Sequence, residues 1–128
     1  MYTAENEIAK RILMLERKFF SYQYTSDKAW LAQTLHDDFL ECGKSGILFH
    51  KADTIRDLLA CKQDRKIEIY NYSCRRLDIN SWIAHYITLS AQDEKYFRTS
   101  VWRNENELQL FFHQATLLCM DVILKKAI

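Results

Sequence analysis

The side chains best suited to chemistry lie near the carboxyl end of the chain, between residues 96 and 116. Two stretches of alternating character flank a polar run at 104–107, which is typical of two strands joined by a turn. Alternation places Arg98, Ser100 and Trp102 on one face of the first strand. These residues carry a guanidinium, a hydroxyl and an indole N–H, and we expect them to line a pocket.

The second strand of this hairpin carries two further polar side chains, His113 and Gln114, which must point to opposite faces. An imidazole can transfer a proton near neutral pH, whereas an amide can only form hydrogen bonds. Which of the two faces the pocket depends on the strand register, because a slip of one residue reverses every side chain.

An earlier strand offers a carboxylate, since alternation places Phe39 and Glu41 on one face. Glu41 could act as a general base, with Arg98 or His113 stabilising a developing oxyanion. Glu41 and His113 are therefore the candidate catalytic residues. The alternatives are a binding site without chemistry and a satisfied polar network that only supports the sheet, because charged groups inside a fold are usually paired.

The rest of the composition excludes several classes of function. The four histidines are scattered and the four cysteines form no C-x-x-C pair, so we predict no metal site, and no glycine-rich loop indicates a phosphate cofactor. A net charge of +1 argues against nucleic acid as a partner. No apolar run is long enough to cross a membrane, and the first residues lack the pattern of a secretory signal. We expect a cytoplasmic protein with free thiols.

The elements that must position these side chains change type once along the chain. Helical spacing of apolar residues dominates up to residue 60, and two-residue alternation dominates afterwards. The predicted helices span 3–22, 27–35 and 50–60, with a strand–turn–strand unit at 36–50. The predicted long strands span 67–77, 82–91, 95–103 and 108–116. This segregation indicates one α+β domain over residues 1–128, with helices on one face of a curved antiparallel sheet. The tail, 117–128, could extend a strand, form a short helix or pack on a partner.

Several motifs resemble the nuclear transport factor 2-like superfamily, and more narrowly its branch called "domain of unknown function 4440". The resemblance covers about residues 5–116. It is carried by LERKFF at 15–20, DDFLECGKSG at 37–46, KADTIRDLL at 51–59, SVW at 100–102 and FHQAT at 112–116. Two departures are Ala115, where that branch usually has Gly, and Leu108, where it usually has Trp.

The resemblance implies a cone-shaped domain whose bent sheet wraps around about three helices and leaves a pocket. It also implies a homodimer formed through the exposed sheet. The expected pocket residues are Phe39, Glu41, Tyr86, Arg98, Ser100, Trp102 and one of His113 or Gln114. The leading hypothesis is a domain that binds a small apolar ligand. The alternatives are an isomerase or cyclase with Glu41 as base, and an interaction module without a ligand.

Overall fold

The computed structural model describes residues 4–127 of the chain. The first helix, α1 (Ala4–Lys18), buries one face that includes Ile12. It ends four residues before the predicted boundary, because Phe19 and Phe20 pack into different clusters of the core. A single helical turn, α2 (Tyr22–Thr25), follows that break.

Two further helices begin at side chains that cap them. Helix α3 (Lys28–Thr34) starts where the Asp27 carboxylate accepts a hydrogen bond of 3.1 Å from the backbone N–H of Trp30. At the start of α4 (Lys51–Ala60), the Asp53 carboxylate accepts a bond of 3.0 Å from the backbone N–H of His50. Helices α1 and α4 pack against opposite edges of the sheet, α1 against its residues 69–78 and α4 against its residues 35–50.

The six strands form one sheet in the order β2-β1-β6-β5-β4-β3. Their bounds are β1 Leu35–Cys42, β2 Leu48–His50, β3 Ile69–Asp78, β4 Ser81–Leu89, β5 Lys95–Asn104 and β6 Leu108–Leu117. All neighbours are antiparallel except β1 and β6, which run parallel. The α+β cone is therefore confirmed, with one parallel pair, β1 and β6, that the expected antiparallel sheet did not include.

A bulge in β6 decides which side chains face the helices. Trp102 pairs with Leu110 and Ser100 pairs with His113, so three steps on β6 match two on β5. The extra residue, Phe111, switches the alternation, and both Leu110 and His113 become buried. Phe111 and His113 therefore do not share a face, although simple alternation along the strand would place them together.

The chain after β6 runs back along the free edge of β3. The backbone N–H of Asn71 donates to the Lys125 carbonyl over 2.7 Å, and that of Ala127 donates to the Ile69 carbonyl over 3.2 Å. Asn71 adopts a φ of 53°, and its side-chain amide also bonds to the tail. None of the three expectations for the tail describes residues 118–127, which pack on the protein's own sheet edge and cover unpaired strand groups.

Candidate functional site

A cavity of about 300 Å³ lies between the inner face of the sheet and helices α1 and α4. Its inner wall is formed by strands β1, β4, β5 and β6, and the exposed residues Lys44, Ser45 and Asp57 mark its mouth. Aromatic and aliphatic side chains form much of the lining: Phe19, Phe20, Leu35, Phe39, Ile47, Phe49, Leu58, Ile67 and Leu110.

Sheet register brings the predicted polar residues into one row. Glu41 pairs with His113 across β1 and β6, and His113 pairs with Ser100 across β6 and β5. All three side chains belong to the inner face. They come from separate parts of the sequence, and the shared row is the feature that turns them into one site.

The expected pocket residues divide into three groups by position. The following line the cavity: Phe39, Glu41, Tyr86, Arg98 and His113. Ser100 and Trp102 are fully buried behind the lining and do not reach the cavity surface. Gln114 is exposed on the outer face of the sheet. The bulge therefore selects His113 over Gln114 as the inward residue.

The Glu41 carboxylate faces the cavity without a direct contact to Arg98 or His113. Its oxygen accepts a hydrogen bond of 3.0 Å from the Thr54 hydroxyl on α4. Burial raises the pKa of Glu41 above the ordinary value, while Thr54 and the positive charges of Arg65 and Arg98 act in the opposite direction. The expected close pairing of Glu41 with Arg98 is not observed.

The carboxylate at the centre of the buried polar network is Glu16 on α1, which the sequence reasoning missed. Only 2% of this residue is exposed. One of its oxygens accepts a hydrogen bond from the Tyr86 hydroxyl, and the other accepts one of 2.8 Å from the Trp102 indole. Burial raises the pKa of Glu16, and hydrogen bonds from Tyr86, Ser100 and Trp102 partly oppose that rise.

A signal for Glu16 is present in the sequence. The buried positions of α1 and of the two residues after it are 12, 13, 16, 19 and 20, and four of these residues are apolar. Glu16 lies in the middle of these positions. A charged residue at the centre of an apolar helical stripe indicates a buried carboxylate that must find donors from another element.

Hydrogen bonds connect Arg98 to Ser100 through His113. Arg98 Nη1 lies 3.3 Å from His113 Nε2, and His113 Nδ1 lies 2.8 Å from the Ser100 hydroxyl. Because a guanidinium can only donate, Nε2 must accept and Nδ1 must carry the proton. The Ser100 hydroxyl accepts that proton's hydrogen bond and lies near Glu16, where it helps to lower the pKa of that carboxyl group.

His113 is therefore neutral, and both of its ring nitrogens form hydrogen bonds. Burial, together with the positive charges of Arg98 and Arg65, lowers its pKa from 6.5 to about 3. Both ring nitrogens already have partners in the network, so His113 orients Arg98 and is poorly placed to exchange a proton with a ligand. The Glu41 carboxyl group also lines the cavity and could accept or donate a proton there.

Two other features bear on the function of the chain. Among residues 4–127, no group of three or more His, Cys, Asp or Glu side chains converges on a point where a metal ion could bind. Within the same range, no helix combines the length and the apolar character that are needed to span a bilayer.

The geometry defines an α+β cone with a cavity under a bent sheet. Several solved structures share this fold. An NTF2-like protein from Cytophaga hutchinsonii is 19% identical over 85% of this chain and 97% of its own, with a TM-score of 0.70. An NTF2-like protein of unknown function from Prochlorococcus marinus is 17% identical over 88% of this chain and 94% of its own, also with a TM-score of 0.70.

A third similar structure is described as a putative Ca/calmodulin-dependent kinase II association domain from Exiguobacterium sibiricum. It is 16% identical over 94% of this chain and 99% of its own, with a TM-score of 0.61. The chain therefore has the nuclear transport factor 2-like fold that the resemblance predicted. Its sequence matches no family model and no curated protein, so the narrower "domain of unknown function 4440" branch stays a prediction.

Proposed function

We propose that the protein is a small-molecule-binding domain whose ligand occupies the cavity under the sheet. The observation that carries this proposal is the open space of about 300 Å³ between sheet and helices. Had Phe39, Tyr86 and Trp102 filled that space, no ligand could enter. Instead Phe39 and Tyr86 form walls, and Trp102 packs behind them.

The composition of the walls supports a small, partly polar ligand. Ligand sites typically span about 300 to 1,000 Å³ and combine apolar walls with a few convergent polar groups. This cavity lies at the lower end of that range and adds Glu41, Arg98 and Tyr86 to its aromatic walls. The expected apolar ligand is thereby refined to one with an apolar body and a polar group.

Gly43 offers a direct test, because it lines the cavity and an added Cβ would meet no heavy atom within 4 Å. We expect Gly43→Trp to fold normally and to obstruct the mouth. Wild-type protein should show a raised melting temperature with some of a panel of small aromatic compounds such as phenol, indole and benzamide, because ligands stabilise the state that binds them. Gly43→Trp should lose most of that rise.

The matched control is Lys62→Trp, which adds the same indole at an exposed position outside the lining. It should retain the wild-type response to the compounds. Equal responses from both variants would show that the compounds bind elsewhere. No response from the wild-type protein to any compound would contradict the proposal.

We further propose that two copies associate through the outer face of the sheet. Register aligns the side chains of Ile83, Val101, Phe112 and Leu40 in one row across four strands, and all are half-buried. Phe97 on the same face is 39% exposed. A continuous apolar row on a sheet face favours contact with another protein surface, and the exposed sheet is where the resemblance expects a partner.

Light scattering should return a particle of twice the 15.3 kDa protomer mass. Val101→Glu should convert it to the monomer, because a carboxylate at the centre of the row would be buried without a partner. Gln92→Glu, in the exposed β4–β5 turn, adds the same charge away from the row and should leave the dimer intact. A wild-type monomer at micromolar concentration would contradict the dimer without affecting the cavity.

We also propose a cytoplasmic setting. All four cysteines are free thiols, namely Cys42, Cys61, Cys74 and Cys119. Unpaired thiols persist most readily where the compartment is reducing.

A further inference from the structure

Two arginine side chains approach the same aromatic ring at the inner part of the cavity. The Arg98 guanidinium carbon lies 5.3 Å from the centre of the Phe20 ring, and that of Arg65 lies 4.9 Å from it. Arg98 comes from β5 and Arg65 from the loop that follows α4, and both line the cavity. The fold thus brings two positive charges together from separate elements.

Neither arginine forms an ion pair with a carboxylate among the described residues. Arg98 Nε donates to the Thr88 hydroxyl over 2.7 Å, and its Nη1 donates to the neutral His113. Arg65 donates to the backbone carbonyl of Phe19. All of these hydrogen-bond partners are uncharged, and the Glu41 carboxylate acts on the two guanidinium groups only through space.

The consequence of this proximity is electrostatic. Burial and then the repulsion of Arg98 lower the pKa of Arg65, and both arginines help to suppress the protonation of His113. Adjacent like charges that are partly removed from water are unfavourable unless a counter-charge joins them. The arrangement is the one that an anion would stabilise.

Free hydrogen-bond donors remain on both groups. A guanidinium carries five N–H donors, and the bonds described above occupy two on Arg98 and one on Arg65. Planar guanidinium groups bind the two oxygens of a carboxylate through paired, charge-assisted hydrogen bonds.

We propose that the ligand of this cavity carries a carboxylate group, which binds between Arg98 and Arg65, with its apolar body against Phe39 and Leu110. This inference rests on the proposed function and adds the chemical class of the ligand. The group bears a single negative charge, because the carboxylates of Glu41 and Asp57 line the same cavity and disfavour a second one.

Matched pairs of acids and neutral amides test the proposal: benzoate with benzamide, phenylacetate with phenylacetamide, and hexanoate with hexanamide. Calorimetric titration of the wild-type protein should give an affinity for the best acid about tenfold or more above that for its amide, because a hydrogen bond to a charged group contributes about 1.5 to 3 kcal/mol. Inorganic phosphate and sulfate, titrated alone, should bind more weakly than that acid.

Arg98→Gln should remove the preference for the acid, and Arg65→Gln should reduce it, because each variant loses more affinity for the acid than for the amide. Arg65→Gln keeps the test informative if Arg98→Gln misfolds, since the hydrogen bond that Arg65 makes within the fold is to a backbone carbonyl. Circular dichroism checks both variants. Arg75→Gln, which removes an exposed arginine of β3 outside the cavity lining, should behave as wild type.

The outcomes separate this inference from the proposed function. Equal affinity for acids and amides would contradict a carboxylate-bearing ligand but not the proposed small-molecule-binding function. Phosphate or sulfate binding as tightly as the best acid would overturn the carboxylate in favour of a general anion site. Binding of no acid and no amide would overturn both.

Discussion

Replacing Glu16 by alanine is expected to lower the free energy of unfolding by about 3 to 5 kcal/mol, the usual effect of removing one partner from a buried charged network. The carboxylate accepts hydrogen bonds from Tyr86 and Trp102. These donors come from β4 and β5, whereas Glu16 belongs to α1. The variant would leave them buried without an acceptor. Urea denaturation at neutral pH measures the change.

Two variants sharpen this prediction. Glu16→Gln retains one acceptor oxygen and nearly the same shape, so it should be less destabilising than alanine. Glu7→Ala removes a carboxylate from the same helix but outside the network, and it should change stability by less than about 0.5 kcal/mol. A loss below about 1 kcal/mol for Glu16→Ala would mean that water replaces the carboxylate and that the network does not hold α1 to the sheet.

Lowering the pH from about 7.5 to about 5 is expected to remove about 2 kcal/mol of stability through His113 alone. Its pKa is about 3 in the folded protein and 6.5 ordinarily. Between these values the unfolded chain binds a proton that the folded chain excludes. The contribution is therefore complete above pH 6.5 and declines as the pH falls towards 3.

Two carboxyl groups with raised pKa values change the stability in the opposite direction as the pH falls. The folded pKa values of Glu16 and Glu41 lie above the ordinary 4.5, so their contribution is complete below that value and is lost as the pH rises through the folded pKa. The pH dependence of the wild-type protein contains both effects. The difference between wild type and His113→Gln isolates the imidazole.

Urea unfolding at several pH values therefore compares the wild-type protein with His113→Gln. We expect the glutamine variant to be less stable at neutral pH and to lose less stability on acidification. His50→Gln, which removes an exposed imidazole, controls for the loss of a histidine as such. Parallel pH profiles for wild type and His113→Gln would contradict a neutral, buried His113.

The network also changes how the polar residues of the hairpin should be interpreted. A catalytic hypothesis paired Glu41 with Arg98 and His113, since all three residue types suit proton transfer. The structure connects Arg98 to His113 and His113 to Ser100 instead, and Glu41 bonds to Thr54. The hypothesis of a satisfied polar network describes His113 well, whereas Arg98 keeps donors that face the cavity.

Local periodicity allowed much of the fold to be predicted. The α1 stripe and the alternation along β5 depend on how neighbouring residues of one element project, and Ile12, Ser100 and Trp102 are buried as such patterns require. The limits of α3 and α4 followed similarly from capping side chains and apolar spacing. These features depend on short-range geometry, which a sequence encodes directly.

Tertiary structure alone decided the composition of the site. The orientation of His113 depends on the bulge at Phe111, which exists only in the pairing of β6 with β5. The neighbours of Arg98 depend on a loop that brings Arg65 to the same Phe20 ring. The sequence by itself determined the elements and the α+β class, because those follow from local periodicity. Which charges meet in the cavity was decided by contacts between residues far apart in the chain, which no local pattern records.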